Sequence, residues 1–140
     1  MAPYLDTPGF KLLSTIPAAR IDELETLAPG WLAAKLAAKS RWIDAQLAKR
    51  YAVPFSAPYP DAVKDWLARI VTLLAQLRIG VDSTDGQFDE IKLDAENAEK
   101  EIAAAADAER GLYELPLRED TTATGVSRGG PLGYSESSPY

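Results

Sequence analysis

The sequence predicts an all-α fold: a small bundle of four to five helices with an extended C-terminal arm. Three observations carry that reading. Apolar residues recur every three to four positions over residues 31–51 and again over 63–77, the spacing that lines one face of a helix. Proline and glycine fall between the periodic stretches, as at Ala28-Pro29-Gly30, Pro54, Pro58, Pro60 and Gly80, where helices start and stop. From Arg118 onward the chain is rich in Gly, Ser, Thr and Pro and almost free of aliphatics. Such a stretch cannot offset its own ordering entropy by burial.

Residues 1–9 contain Pro3 and Pro8 and read as an extended lead-in. Asp6-Thr7-Pro8 is a helix-start signal, with Asp6 or Thr7 as N-cap. A short helix through Phe10, Leu12, Leu13 and Ile16 is expected. Pro17 opens a second, with Ile21, Leu24 and Leu27 inward and Asp22, Glu23 and Glu25 outward. The central element runs from Trp31. Its stripe of Leu32, Leu36, Ile43, Leu47 and Tyr51 is flanked by Ala33, Ala37 and Ala48, small residues that let a neighbouring helix approach. It is expected to end at Arg50-Tyr51, because Pro54 disfavours α geometry in the residue before it. The connector 53–59, with Phe55 and Tyr59 beside its prolines, leads to a helix opened by Pro60-Asp61. Val63, Leu67, Ile70, Val71, Leu74 and Leu77, widened by Trp66 and Leu73, make that helix apolar over much of its circumference. It is therefore expected to be buried against more than one neighbour. A polar loop over 81–87 precedes a last helix, about 88–110, with Phe88, Ile91, Ala95, Ala98, Ile102 and Ala105 inward. Gly111 is its expected stop, and residues 112–117 are a short apolar, β-like segment.

Composition narrows the chemistry. The 140 residues contain no cysteine and no histidine, which removes disulfides, thiolate metal sites, the usual general base and the commonest transition-metal ligand. No metal site, no cofactor and no enzymatic activity is expected. The formal net charge of −6 argues mildly against a nucleic-acid binder, which normally carries a basic footprint. No basic segment followed by an apolar run opens the chain, so no secretory signal is expected. The most apolar stretch, residues 66–79, is interrupted by Arg69 and Arg78 and is too short to span a bilayer.

The pattern A-x-x-x-I-D-x-x-L-x-x-R-Y-x-V-P is present as Ala38, Ile43-Asp44, Leu47, Arg50-Tyr51 and Val53-Pro54. Behind it come the Pro-led helix, an Ala/Glu helix, Gly111-Leu112 and Leu115-Pro116-Leu117. In this order the chain resembles the small helical head–tail connector (adaptor) proteins of tailed bacteriophages, prophages and gene-transfer agents, over roughly Tyr4 to Leu117. The resemblance implies a non-enzymatic virion protein of the neck, assembled in the bacterial host cytoplasm as a ring of about a dozen copies. Such a ring binds the portal protein above and a stopper or tail protein below, and extends the channel through which DNA passes as cargo. The chain is thus expected to divide into a helical adaptor domain, 1–117, and a C-terminal arm, 118–140, which composition marks and the family pattern does not require.

Charge asymmetry is an independent hint of assembly. From Trp31 to Arg50 the cations Lys35, Lys39, Arg41, Lys49 and Arg50 face Asp44 alone, whereas 82–109 carries ten carboxylates against Lys92 and Lys100. A basic and an acidic element on one subunit suit a head-to-tail contact that closes into a ring. The bland alternative is a solvated helix face with i,i+4 pairs. Candidate subunit or partner contacts are Lys35, Lys39 and Trp42, the pair Arg50 and Tyr51, and Asp94 and Glu101 on the acidic helix. Tyr134 and Tyr140 are candidate aromatic anchors in the arm. A loop calcium or magnesium site at Asp82, Asp85, Asp89 and Glu90 lacks the spacing of known cation loops. The competing function is a small acidic helical protein, antitoxin-like or a DNA mimic, that sequesters a basic partner.

Overall fold

The computed structural model describes residues 3–80, 86–107 and 115–116. Five helices follow in order: α1 (Thr7–Leu13), α2 (Ala18–Leu27), α3 (Trp31–Leu47), α4 (Asp61–Ile79) and α5 (Gly86–Ala106). No strand occurs among the described residues, so the fold is an all-α bundle. The arm 118–140, with Tyr134 and Tyr140, lies outside the described residues, as do the loop positions Asp82 and Asp85 and the expected stop at Gly111.

Local signals set the helix ends. Asp6 caps α1 by accepting a hydrogen bond from the Gly9 amide at 2.8 Å, which satisfies one of the orphan donors of a helix start. Pro17 and Pro60 stand immediately before α2 and α4. Gly30 precedes α3 in the left-handed region, φ 82°, a conformation glycine adopts without steric cost. Gly80 terminates α4 with φ 118°.

The apolar stripe of α3 is buried as its spacing requires: Leu32, Leu36, Ile43, Leu47 and, past the helix end, Tyr51. The buried set of α4 spans Val63, Trp66, Leu67, Ala68, Ile70, Val71, Thr72 and Ala75. No single partner covers so broad a face, and α4 packs against each of the other four helices. On α5, Ile91, Ala95, Ala98, Ile102 and Ala105 face inward. The alanines give this stripe little bulk and let α4 and α5 lie close along their length, the most extensive contact in the bundle.

Several expectations are corrected. Helix α3 stops at Leu47 rather than at Arg50-Tyr51, because residues 48–50 form a turn before the Pro54 elbow. Ile16 is buried but sits in the α1–α2 link, and α1 ends at Leu13. Leu27 is 81% exposed and Leu12 is 86% exposed, with Leu13 and Leu77 also on the surface. Each lies at or near a helix end, where the periodicity continues but no neighbour remains to cover it. Beyond α5, Leu115 is buried in the core, and the Pro116 carbonyl accepts a hydrogen bond from the Ala52 amide at 2.8 Å.

Leu67 is fully buried at the centre of α4. Leu67→Ala should cost about 2–5 kcal/mol in urea unfolding, the usual range for a buried leucine. Leu27→Ala should change stability by less than about 0.5 kcal/mol, as exposed positions do.

Candidate interaction surfaces

The charge asymmetry lies between α3 and α5, and their side chains are held in different ways. On α3, Trp31, Lys35, Lys39 and Trp42 share one flank. Lys35 Nζ lies 5.8 Å from the centre of the Trp31 ring, and Lys39 Nζ lies 5.5 Å from that of Trp42, both within cation–π range. The two indoles are half-buried and pack against the core. Arg41 lies elsewhere on the same helix, exposed.

Helix α5 uses part of its negative charge internally. Arg69 of α4 reaches Asp94 at 3.1 Å, Asp65 at 3.1 Å and both carboxylate oxygens of Glu101 at 3.2 Å. Glu101 also accepts from the indole N–H of the buried Trp66 at 3.1 Å. Burial alone pushes the Glu101 carboxyl up, but the Arg69 and Trp66 hydrogen bonds and the Arg69 charge outweigh it and hold the group below its ordinary value. Burial likewise works against the Arg69 cation, and the hydrogen bonds to Glu101 and Asp65 with the nearby carboxylate charges more than compensate. Asp94 and Glu101, named from the sequence as contacts for another molecule, are therefore joined to Arg69 of their own chain. Lys49 pairs with Asp107 past the end of α5.

The elbow between α3 and α4 is fixed by aromatic hydroxyls. Tyr51 is buried, and its hydroxyl donates to the Ala105 carbonyl at 3.1 Å. Arg50 lies beside it, its guanidinium 5.8 Å from the Tyr51 ring. Tyr4, in the lead-in, was not singled out by the sequence. Its hydroxyl donates to Asp44 at 2.5 Å and accepts from the Phe55 amide at 2.9 Å, and its own amide donates to Ser40 at 3.1 Å. Its ring packs edge-on against Tyr59. One residue thus ties the N-terminal segment, α3 and the elbow together. The available signal was Ser40, a polar residue standing on the apolar stripe of α3 between Leu36 and Ile43. Burial and the bond to Asp44 push the Tyr4 hydroxyl above its ordinary range. Burial raises the Asp44 carboxyl, and the Tyr4 bond only partly opposes that.

A surface groove of about 380 Å³ lies where the end of α1 meets α4 and the first half of α5. Leu13, Ala68, Thr72, Ile91 and Leu93 supply its apolar lining, and Arg69 with Asp94 lies along it. Among the described residues no group of acidic side chains is placed to hold a metal ion, and no helix is long and apolar enough to cross a membrane.

Glu101 contributes stability above the ordinary glutamate range, and that contribution is lost as the pH falls through its lowered folded value. Glu101→Gln should therefore make acid unfolding, followed by circular dichroism, shallower. At neutral pH it should cost about 1 kcal/mol, a charge-assisted bond discounted for the partial exposure of Glu101. Tyr4 behaves in the opposite sense: its contribution is complete below the ordinary tyrosine range and is lost as the pH rises through its raised folded value. Tyr4→Phe should flatten the alkaline limb of the stability profile. It should also cost about 1–3 kcal/mol in urea at pH 7, since Asp44 and the Phe55 amide lose their partner.

Compared with known proteins, the chain matches no family model, no curated protein and no solved structure.

Proposed function

We propose that the chain is a structural subunit of a phage-type virion: a head–tail adaptor that forms a ring between portal and tail or stopper and lengthens the DNA channel. The observation that carries this reading is the sorting of charge that remains after internal pairing. Asp44 is engaged by Tyr4, while Asp94 and Glu101 are engaged by Arg69. What is left on α3 is basic, Lys35, Lys39 and Arg41, and what is left on α5 is mainly acidic, Asp89, Glu90, Glu96 and Glu99. A subunit with one basic and one acidic helix has a use for each when the next copy presents the other. The elbow adds support. The Arg50-Tyr51-x-Val53-Pro54 motif on which the adaptor resemblance is strongest is a rigid corner here, bonded to α5 through Tyr51 and to Pro116 through Ala52, and followed by Phe55, whose amide is bonded to Tyr4 of the N-terminal segment. A rigid corner lets one subunit transmit a fixed angle to the next.

Native mass spectrometry of the full chain at low ionic strength tests the proposal. The expected result is a closed oligomer of about a dozen copies, as the adaptor resemblance implies. A monomer that captures a basic protein in a one-to-one complex would replace it with the sequestering reading.

A further inference from the structure

The flank of α3 formed by Trp31, Lys35, Lys39 and Trp42 sets two cationic side chains between two aromatic ones at steps of four, four and three residues, the spacing of neighbours along a helix surface. Its indoles are seated on the core and its ammonium groups lie within cation–π range of them. A side chain already restrained in this way loses less freedom on binding. Among the described residues the lysine ion pairs are those of Lys11, Lys49 and Lys64, so Lys35 and Lys39 keep their charge for another molecule. On α5, the exposed Asp89, Glu96 and Glu99 fall on one flank and enter no ion pair among the described residues, while Lys92 and Lys100 on that side leave the row net negative.

We infer that the Trp31–Lys35–Lys39–Trp42 flank is the seat for the Asp89–Glu96–Glu99 row of a second copy of this chain. The inference rests on the reading of the chain as a self-assembling subunit and names the contact that would close the assembly. Lys35 and Lys39 are about 6 Å apart along the axis of α3, and Glu96 and Glu99 about 4.5 Å apart along α5, at 1.5 Å per residue. Lysine's flexible stem absorbs the difference. Half-buried tryptophans flanking the charges provide the desolvated area that anchors an interface. A nucleic acid fits less well, because the same molecule carries a net charge of −6 and would repel phosphates away from this one flank.

Equal amounts of full-length chain grown in ordinary and in ¹⁵N medium, mixed and treated with a zero-length carbodiimide, test the contact by mass spectrometry of the linked peptides. Links from Lys35 or Lys39 to Asp89, Glu96 or Glu99 are expected in mixed-isotope pairs. Lys35→Glu with Lys39→Glu should raise the concentration needed for half-assembly about tenfold or more, as like-charge juxtaposition does. Adding Glu96→Lys and Glu99→Lys to the same chain should restore it. Mixed-isotope links at other residues, or a double reversal that fails to restore assembly while far-UV circular dichroism stays unchanged, would overturn this contact and leave self-assembly standing. Monomers without mixed links would overturn both. A DNA duplex that quenches tryptophan fluorescence in the wild-type chain and not in the lysine variant would assign the flank to nucleic acid instead.

Discussion

Trp66 sets the constraint on which the rest of the bundle depends. Its ring is 1% exposed, and a buried indole N–H without a partner would be costly. Glu101 supplies that partner, but a carboxylate at the edge of a core needs its own compensation, which Arg69 provides through two parallel hydrogen bonds. Trp66 and Arg69 lie three residues apart on α4, so a single contact fixes both the axial register and the rotation of α5 against α4. Sliding α5 by one residue would carry the Glu101 carboxylate away from both the indole and the guanidinium. The alanine-rich inner face of α5 would not by itself resist such a slip, because small residues interlock weakly. A polar lock thus does for this helix pair what bulky side chains do between α3 and α4.

The same lock decides which charges remain outside. With Asp94 and Glu101 turned toward Arg69, the acidity left on α5 lies on its other exposed positions. On α3 the single carboxylate, Asp44, is turned toward the Tyr4 hydroxyl and enters no ion pair with the helix's cations among the described residues. Internal pairing takes charge from both sides, as Lys49 with Asp107 and Arg69 with Asp94 and Glu101 show, yet what remains is basic on α3 and mainly acidic on α5. Exposed pairs of opposite charge add little to folding, so leaving these groups unpaired within the subunit costs the monomer little. In the proposed assembly they would steer an encounter and fix its register.

Much of the architecture was legible in the sequence, and the failures share physical causes. The stripes of α3, α4 and α5 were readable because each helix buries one continuous face, and proline and glycine marked the breaks. Leu12, Leu27 and Leu77 misled because periodicity measures a repeat and is blind to whether a neighbour extends far enough to cover it. The Tyr4 latch was hidden because its partners, Ser40, Asp44 and Phe55, lie between 36 and 51 residues away, and no local pattern encodes so distant a hydrogen bond. Arg69 was visible only as an interruption of an apolar run. Its reach to α5 depended on tertiary register. Lys35, Lys39 and Trp42 were legible as candidates, and their grouping with Trp31 into one flank emerged from the geometry.

In the proposed assembly, the charges this chain leaves unpaired are satisfied by another copy of itself. Sedimentation velocity of the wild-type chain, at ionic strengths of about 0.01 M and about 1 M, addresses it most directly, because the screening length falls from about 30 Å to about 3 Å across that range. A large species at low salt that dissociates as salt rises is the expected result. A single monomeric boundary at both salts and at every concentration would contradict it.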